Sequence, residues 1–130
     1  MTEYIFLLFA ILELTIYGYN NMQHESFAVL KEDVATAVNK LVNSFLSNKE
    51  YNQDEVQNWT ASLSEDIVKT LKTMSTNFKF CVSCVILQKG DAGMHISTTC
   101  YWDSNVDGSV AIKCENNSMY CIVNIFGVSF

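Results

Sequence analysis

Between Ser26 and Asn48 apolar side chains recur every three or four positions, at Phe27, Leu30, Val34, Val38, Leu41 and Phe45, with Val42 and Leu46 widening the stripe. That spacing puts them on one face of an amphipathic helix of about six turns. Lys31, Glu32, Thr36, Asn39, Lys40 and Asn43 occupy the other face, and Ser26 is placed to cap the start. A second helical stripe runs through Val56, Trp59, Leu63, Ile67, Leu71 and Met74. Asn52 with Glu55 three residues on resembles a capping box at its start, and Asn77 is suited to the left-handed geometry that ends a helix.

After Asn77 the period changes from helical to alternating. Strands are expected at about Phe78 to Gln88, Met94 to Trp102, Gly108 to Glu115 and Met119 to Val128. The intervening stretches are short and rich in Gly, Asp, Asn and Ser, as local reversals require. The fold class is therefore α+β, two amphipathic helices followed by a four-stranded antiparallel sheet. The first and fourth strands are apolar on both faces and read as central. The second, with His95, Ser97, Thr98 and Thr99, and the third read as edges. Two helices cover one face of such a sheet, so the other needs a second copy or the leader, and a homodimer is favoured.

Composition narrows the class. With 49 % apolar and 17 % charged residues the chain can bury a core, and a net charge of −6 leaves no cation surplus for a nucleic-acid partner. Cys81, Cys84, Cys100, Cys114 and Cys121 are odd in number and sit among apolar neighbours, which suits reduced thiols in the cytosol. The leader, residues 1–20, contains the apolar run from Tyr4 to Tyr17. Its flanks are wrong for a secretory signal, and it falls short of the roughly 20 residues a membrane-spanning helix needs. An appendage of uncertain role is expected, with the domain over 21–130. No membrane partner follows.

No catalytic constellation emerges. Cys81 and Cys84 have redox-motif spacing, but within a strand that spacing sends them to opposite faces, so they are read as packing residues. His24 and His95 are far apart and lie in no ligand-spaced cluster. Gly90 and Gly93 punctuate a turn rather than cradle a phosphate. Neither a metal nor another cofactor is expected.

Several stretches resemble the Tctex-type dynein light chains: Val56-Gln57-Asn58-Trp59-Thr60, Phe78-Lys79-Phe80 running into Cys84-Val85-Ile86, and Cys100-Tyr101-Trp102-Asp103. The ending is the most specific part, with Asp107-Gly108-Ser109, Glu115-Asn116, Met119-Tyr120-Cys121-Ile122-Val123 and Phe126-Gly127-Val128-Ser129-Phe130 in the family's order. The likeness covers Phe27 to Phe130, and the leader through Tyr19 departs from it. The resemblance implies a homodimer whose second strand crosses to the partner's sheet and a non-catalytic role in cytoplasmic or axonemal dynein. It also implies binding to the dynein intermediate chain, with cargo proteins as further candidate partners, in the cytoplasm and cytoskeleton.

The mechanism expected from that resemblance is strand addition, in which an extended peptide bonds to an exposed sheet edge. The candidate edge, or dimer interface, is Met94, His95, Ile96, Ser97, Thr98, Thr99, Cys100, Tyr101 and Trp102, with Thr98 and Thr99 as polar contacts. Two alternatives stay open. One is a secreted or membrane-tethered peptide-binding module directed by the leader. The other is a thiol oxidoreductase using Cys81 and Cys84.

Overall fold

The computed structural model describes residues 7–13 and 25–130. Residues 7–13 are helical and exposed (α1). They are followed by α2 (Phe27–Leu46), α3 (Val56–Met74), β1 (Phe78–Gln88), β2 (Gly108–Glu115) and β3 (Met119–Ser129). The remaining leader residues and His24 lie outside the described residues. No helix among the described residues is long and apolar enough to cross a membrane.

The periodicity places both main helices. Phe27, Val34, Val38, Val42 and Leu46 of α2 and Leu63, Ile67 and Leu71 of α3 are buried. Val42 and Leu46 thus belong to the centre of the α2 stripe, while Leu30, Leu41 and Phe45 pack at its margin. Ser26 caps α2 as expected, its Oγ accepting from the Ala28 N–H at 3.3 Å. The capping box does not form: α3 begins after Glu55, whose side chain makes no cap bond, and Asn52 Oδ1 instead accepts from Asp54 N at 2.9 Å in a local turn. The left-handed asparagine is Asn48 (φ 59°), which follows α2. Asn77 is not left-handed. Ser75 is already extended after α3, and the Asn77 side chain is drawn across to the Glu25 carboxylate.

The sheet is antiparallel with order β1-β3-β2. β3 pairs with β1 from Phe78↔Ser129 to Gln88↔Met119, and with β2 from Gly108↔Gly127 to Glu115↔Tyr120. Three of the four expected strands are present. Met94–Trp102 pairs with no other described residue, so among the described strands β3 alone is central and β1, expected to be central, is an edge. Local apolar content on both faces of β1 cannot reveal whether its second neighbour comes from the same chain.

One sheet face carries both helices. Phe78, Ile112, Cys114, Met119, Cys121, Val123 and Ile125 are buried against α2 and α3. Phe27 fixes how α2 meets the sheet. Its ring lies over the paired Gly108 and Gly127, where an added Cβ would overlap it, and it meets Phe78 edge to face at 5.9 Å. Its backbone N–H donates to Val106 O at 2.9 Å. On the opposite face Val85, Leu87, Tyr120, Ile122, Phe126 and Val128 are only half-buried. That apolar strip is the side of the sheet turned away from α2 and α3.

Candidate functional site

The nine residues singled out in the sequence form one continuous segment without regular secondary structure. Met94, His95, Ile96, Ser97, Thr98, Thr99, Cys100 and Tyr101 are all exposed, and Trp102 is half-buried. Tyr101 is 106 % exposed, as open as an isolated residue. No backbone hydrogen bond joins residues 94–102 to another described residue. A run of backbone donors and acceptors with nothing to bond is what strand addition uses.

The chain is tied down on both sides of this segment, at Lys89 ahead of it and directly after Trp102. At the start, Lys89 N donates to Ser118 O at 2.9 Å and Lys89 Nζ pairs with Glu115 Oε2 at 2.9 Å. At the far end Asp103 and Asp107 build a closed turn: Asp107 N donates to Asp103 O at 2.8 Å, Asp103 N to Asp107 Oδ2 at 3.0 Å, and Asn105 N to Asp103 Oδ1 at 3.0 Å. Asp107 Oδ1 also accepts from Ser129 N at 2.7 Å, which ties the turn to β3. Trp102 packs on Phe126 with ring centroids 6.2 Å apart. An unpaired segment is thus presented between two fixed points.

The outer edge of β1 is its counterpart. It is eleven residues long and paired on one side only. Sequence reasoning misses both this edge and the anchoring by Lys89, Asp103 and Asp107. The Asp-Ser-Asn-Val-Asp spacing is a legible turn signal. No local signal marks β1 as an edge.

The other candidates lie apart. Cys81 is exposed, while Cys84 is half-buried toward the helices, so the pair does not converge. His95 stands alone on the exposed segment. Among the described residues no group of three or more His, Cys, Asp or Glu side chains is placed to hold a metal. The sequon Asn116-Asn117-Ser118 has a structural use: Asn116 Nδ2 donates to Leu46 O at 3.0 Å and Lys49 O at 2.9 Å, and its Oδ1 accepts from Ser118 N and Met119 N.

Residues 28–128 match the Tctex-1 family. The chain belongs to the Tctex-1 family. A Dynein light chain Tctex-type of Drosophila melanogaster is 32 % identical over 105 residues, covering 81 % of this chain and 95 % of the relative. Dynein light chain Tctex-type 3 of Homo sapiens is 33 % identical over 98 residues, 75 % of this chain and 84 % of the relative. A Dynein light chain Tctex-type of Dictyostelium discoideum is 36 % identical over 97 residues, 74 % and 87 % respectively. Family membership makes the chain a non-catalytic protein, and its relatives support a dynein light chain role. The Tctex-1 match leaves out the leader.

Proposed function

We propose that this protein is a dimeric light chain of the dynein motor complex, working in the cytoplasm as an adaptor in microtubule-based transport. The observation that carries the proposal is the unpaired Met94–Trp102 segment, exposed beside a sheet whose β1 edge is open. Two copies satisfy both features if each lends Met94–Trp102 to the other's β1, giving each sheet its fourth strand. The half-buried apolar face gives the copies a second contact surface. The lent strand then becomes the new edge, to which a segment of the dynein intermediate chain, or of a cargo protein, adds in extended form. A dimer offers two such edges. A dimeric intermediate chain that occupies both gains from effective concentration, so each contact can be individually weak.

The test is a titration of the full chain with an intermediate-chain peptide from the same organism, following backbone amide signals by NMR with molar mass measured alongside. A dimer whose shifts concentrate in Met94–Trp102 is the expected result. A dimer unresponsive to millimolar peptide would remove the intermediate chain as partner, and a monomer would remove the strand exchange.

One observation favours a second reading. The described part of the leader, residues 7–13, exposes Leu7, Leu8, Phe9, Ile11 and Leu12 to more than half of their free surface. A leader that directs export would make the same fold a secreted or tethered peptide-binding module. Localising tagged full-length and leader-deleted chains separates the two: identical cytoplasmic distributions end the export reading.

A further inference from the structure

Three cysteines lie on the helix-facing side of the sheet, one on each strand: Cys84 on β1, Cys121 on β3 and Cys114 on β2. They are not equivalent. Cys84 Sγ and Cys121 Sγ are in contact at 3.8 Å, related diagonally across the pairing of Cys84 with Val123 and of Ile86 with Cys121. Cys114 Sγ instead donates to Asn39 Oδ1 of α2 at 3.1 Å. Cys84 is half-buried near the open β1 edge, while Cys121 has no exposed surface. Before another strand covers the β1 edge, only one thiol of the contacting pair can meet a reagent from solution, and its neighbour is positioned to resolve what forms.

We propose that Cys84 and Cys121 form an oxidisable dithiol, in which Cys84 is the thiol that reacts with a peroxide and Cys121 closes a disulfide on it. The Cys84 thiolate attacks one peroxide oxygen, the O–O bond breaks, and hydroxide leaves to take a proton as water. The Cys121 sulfur then attacks the resulting sulfenic acid, the S–O bond breaks, and the second water departs with the Cys121 proton. In sum two thiols lose two electrons and two protons, and hydrogen peroxide is reduced to two waters. The sulfurs must close by about 1.8 Å to reach bonding distance, and from a diagonal pairing that takes a local shift of β1 against β3 as well as side-chain rotation.

The ionisation order supports the roles. The hydrogen bond shared with Cys121 lowers the Cys84 pKa against an opposing effect of burial, the direction that favours its thiolate. The Cys121 pKa is raised, first by that shared bond and then by burial, so its proton stays until the second step. Burial alone raises the Cys114 pKa, which keeps that thiol protonated. The disulfide would tie β1 to β3 at the root of the loop that carries Met94–Trp102. Oxidation would therefore stiffen the frame from which that segment extends.

The test uses the full chain, diluted until sedimentation finds a monomer, with Cys81→Ser and Cys100→Ser, which removes the exposed thiols. After hydrogen peroxide treatment and digestion without reduction, the Cys84 and Cys121 peptides are expected joined, about 2 Da below their summed mass. Cys114 should stay free for alkylation. Adding Cys121→Ser should leave Cys84 as a sulfenic acid captured by dimedone. If that variant is unfolded by circular dichroism, Cys84→Ser serves instead, and Cys121 should then survive the peroxide as a free thiol. The proposal is overturned if Cys84 and Cys121 both stay reduced at a dose that oxidises the same chain unfolded in urea. It is equally overturned if Cys121 links to Cys114.

Discussion

The two edges of the sheet are finished in opposite ways. β2 is short, directs Ser109, Lys113 and Glu115 outward, and runs between two reversals whose polar groups are bonded within the chain. β1 is three residues longer, carries Val82, Cys84, Val85, Ile86 and Leu87 in near succession, and has an unpaired side. A long apolar edge invites pairing with another chain, and charged side chains on a short strand discourage it. The same molecule therefore closes one edge and leaves the other available. The unpaired Met94–Trp102 segment, held only at its ends, is a matching surplus of strand. A second chain would resolve both the pairing deficit and the surplus, as in the dimer proposed above.

The largest expected effect comes from breaking the closed side. Asn116→Ala removes the donor to Leu46 O and Lys49 O and the acceptor for Ser118 N and Met119 N, leaving those half-buried groups to compete for water. A loss of about 2–4 kcal/mol in unfolding free energy is expected from so many main-chain partners. Urea denaturation measures it. A loss below about 0.5 kcal/mol, the level of an ordinary surface change, would mean that the hairpin is not what secures this side. The same bonds bear on the sequon, since a glycan on Asn116 Nδ2 would take one of its two donor bonds.

On the open side the expected change is smaller and lies in association rather than in folding. If Met94–Trp102 is exchanged as proposed, Thr98→Pro deletes one ladder donor in the middle of the lent strand. Sedimentation should show a dimer dissociation constant weakened by roughly tenfold, the equivalent of one lost hydrogen bond with some strain. The chain's own unfolding should hardly change, because the Thr98 backbone bonds to no other described residue. A Thr98→Pro chain that stays as dimeric as the parent would misplace the exchanged segment.

Much of this asymmetry is legible in the order of residues, but its central point is not. Both main helices, the bounds of β1 and β2 and the start of β3 follow from periods of 3.6 and 2, because burial against one sheet face imposes those periods. Ser26 caps its helix as its residue type suggests, whereas Asn52 and Asn77 do not take the roles theirs suggest. Short polar side chains at a helix end have several local bonds to choose among, and here the choice is made by Asp54 N and by Glu25. Met94–Trp102 alternates as a strand does, a property of nine consecutive residues, yet those residues take up no strand. That it has no partner in its own sheet is a property of topology. Likewise the contact between Cys84 and Cys121 depends on the register of β1 against β3, which no spacing along the chain encodes.

The smallest expected effect sits where the two edges meet. Lys89, just past β1, reaches across Tyr120 of β3 to Glu115 at the end of β2, with Nζ 2.9 Å from Oε2 and 4.9 Å from the ring centre. The hydrogen bond from Lys89 lowers the Glu115 pKa, helped by the Lys89 charge and then by that of Lys113. A carboxylate depressed on folding adds stability above its unfolded pKa, near 4.5, and that addition fades as pH falls through the lower folded value. Glu115 is open to water, so the addition is slight and screened by salt. The sensitive measurement is therefore the titration of the Glu115 carboxyl by NMR, in the parent and in Lys89→Met. The parent should titrate below an ordinary glutamate, and the variant should move back up toward it. Equal midpoints in the two chains would show that Lys89 does not hold Glu115. The two edges would then be joined through β3 alone, and the anchor at the start of the exposed segment would reduce to the single bond from Lys89 N to Ser118 O.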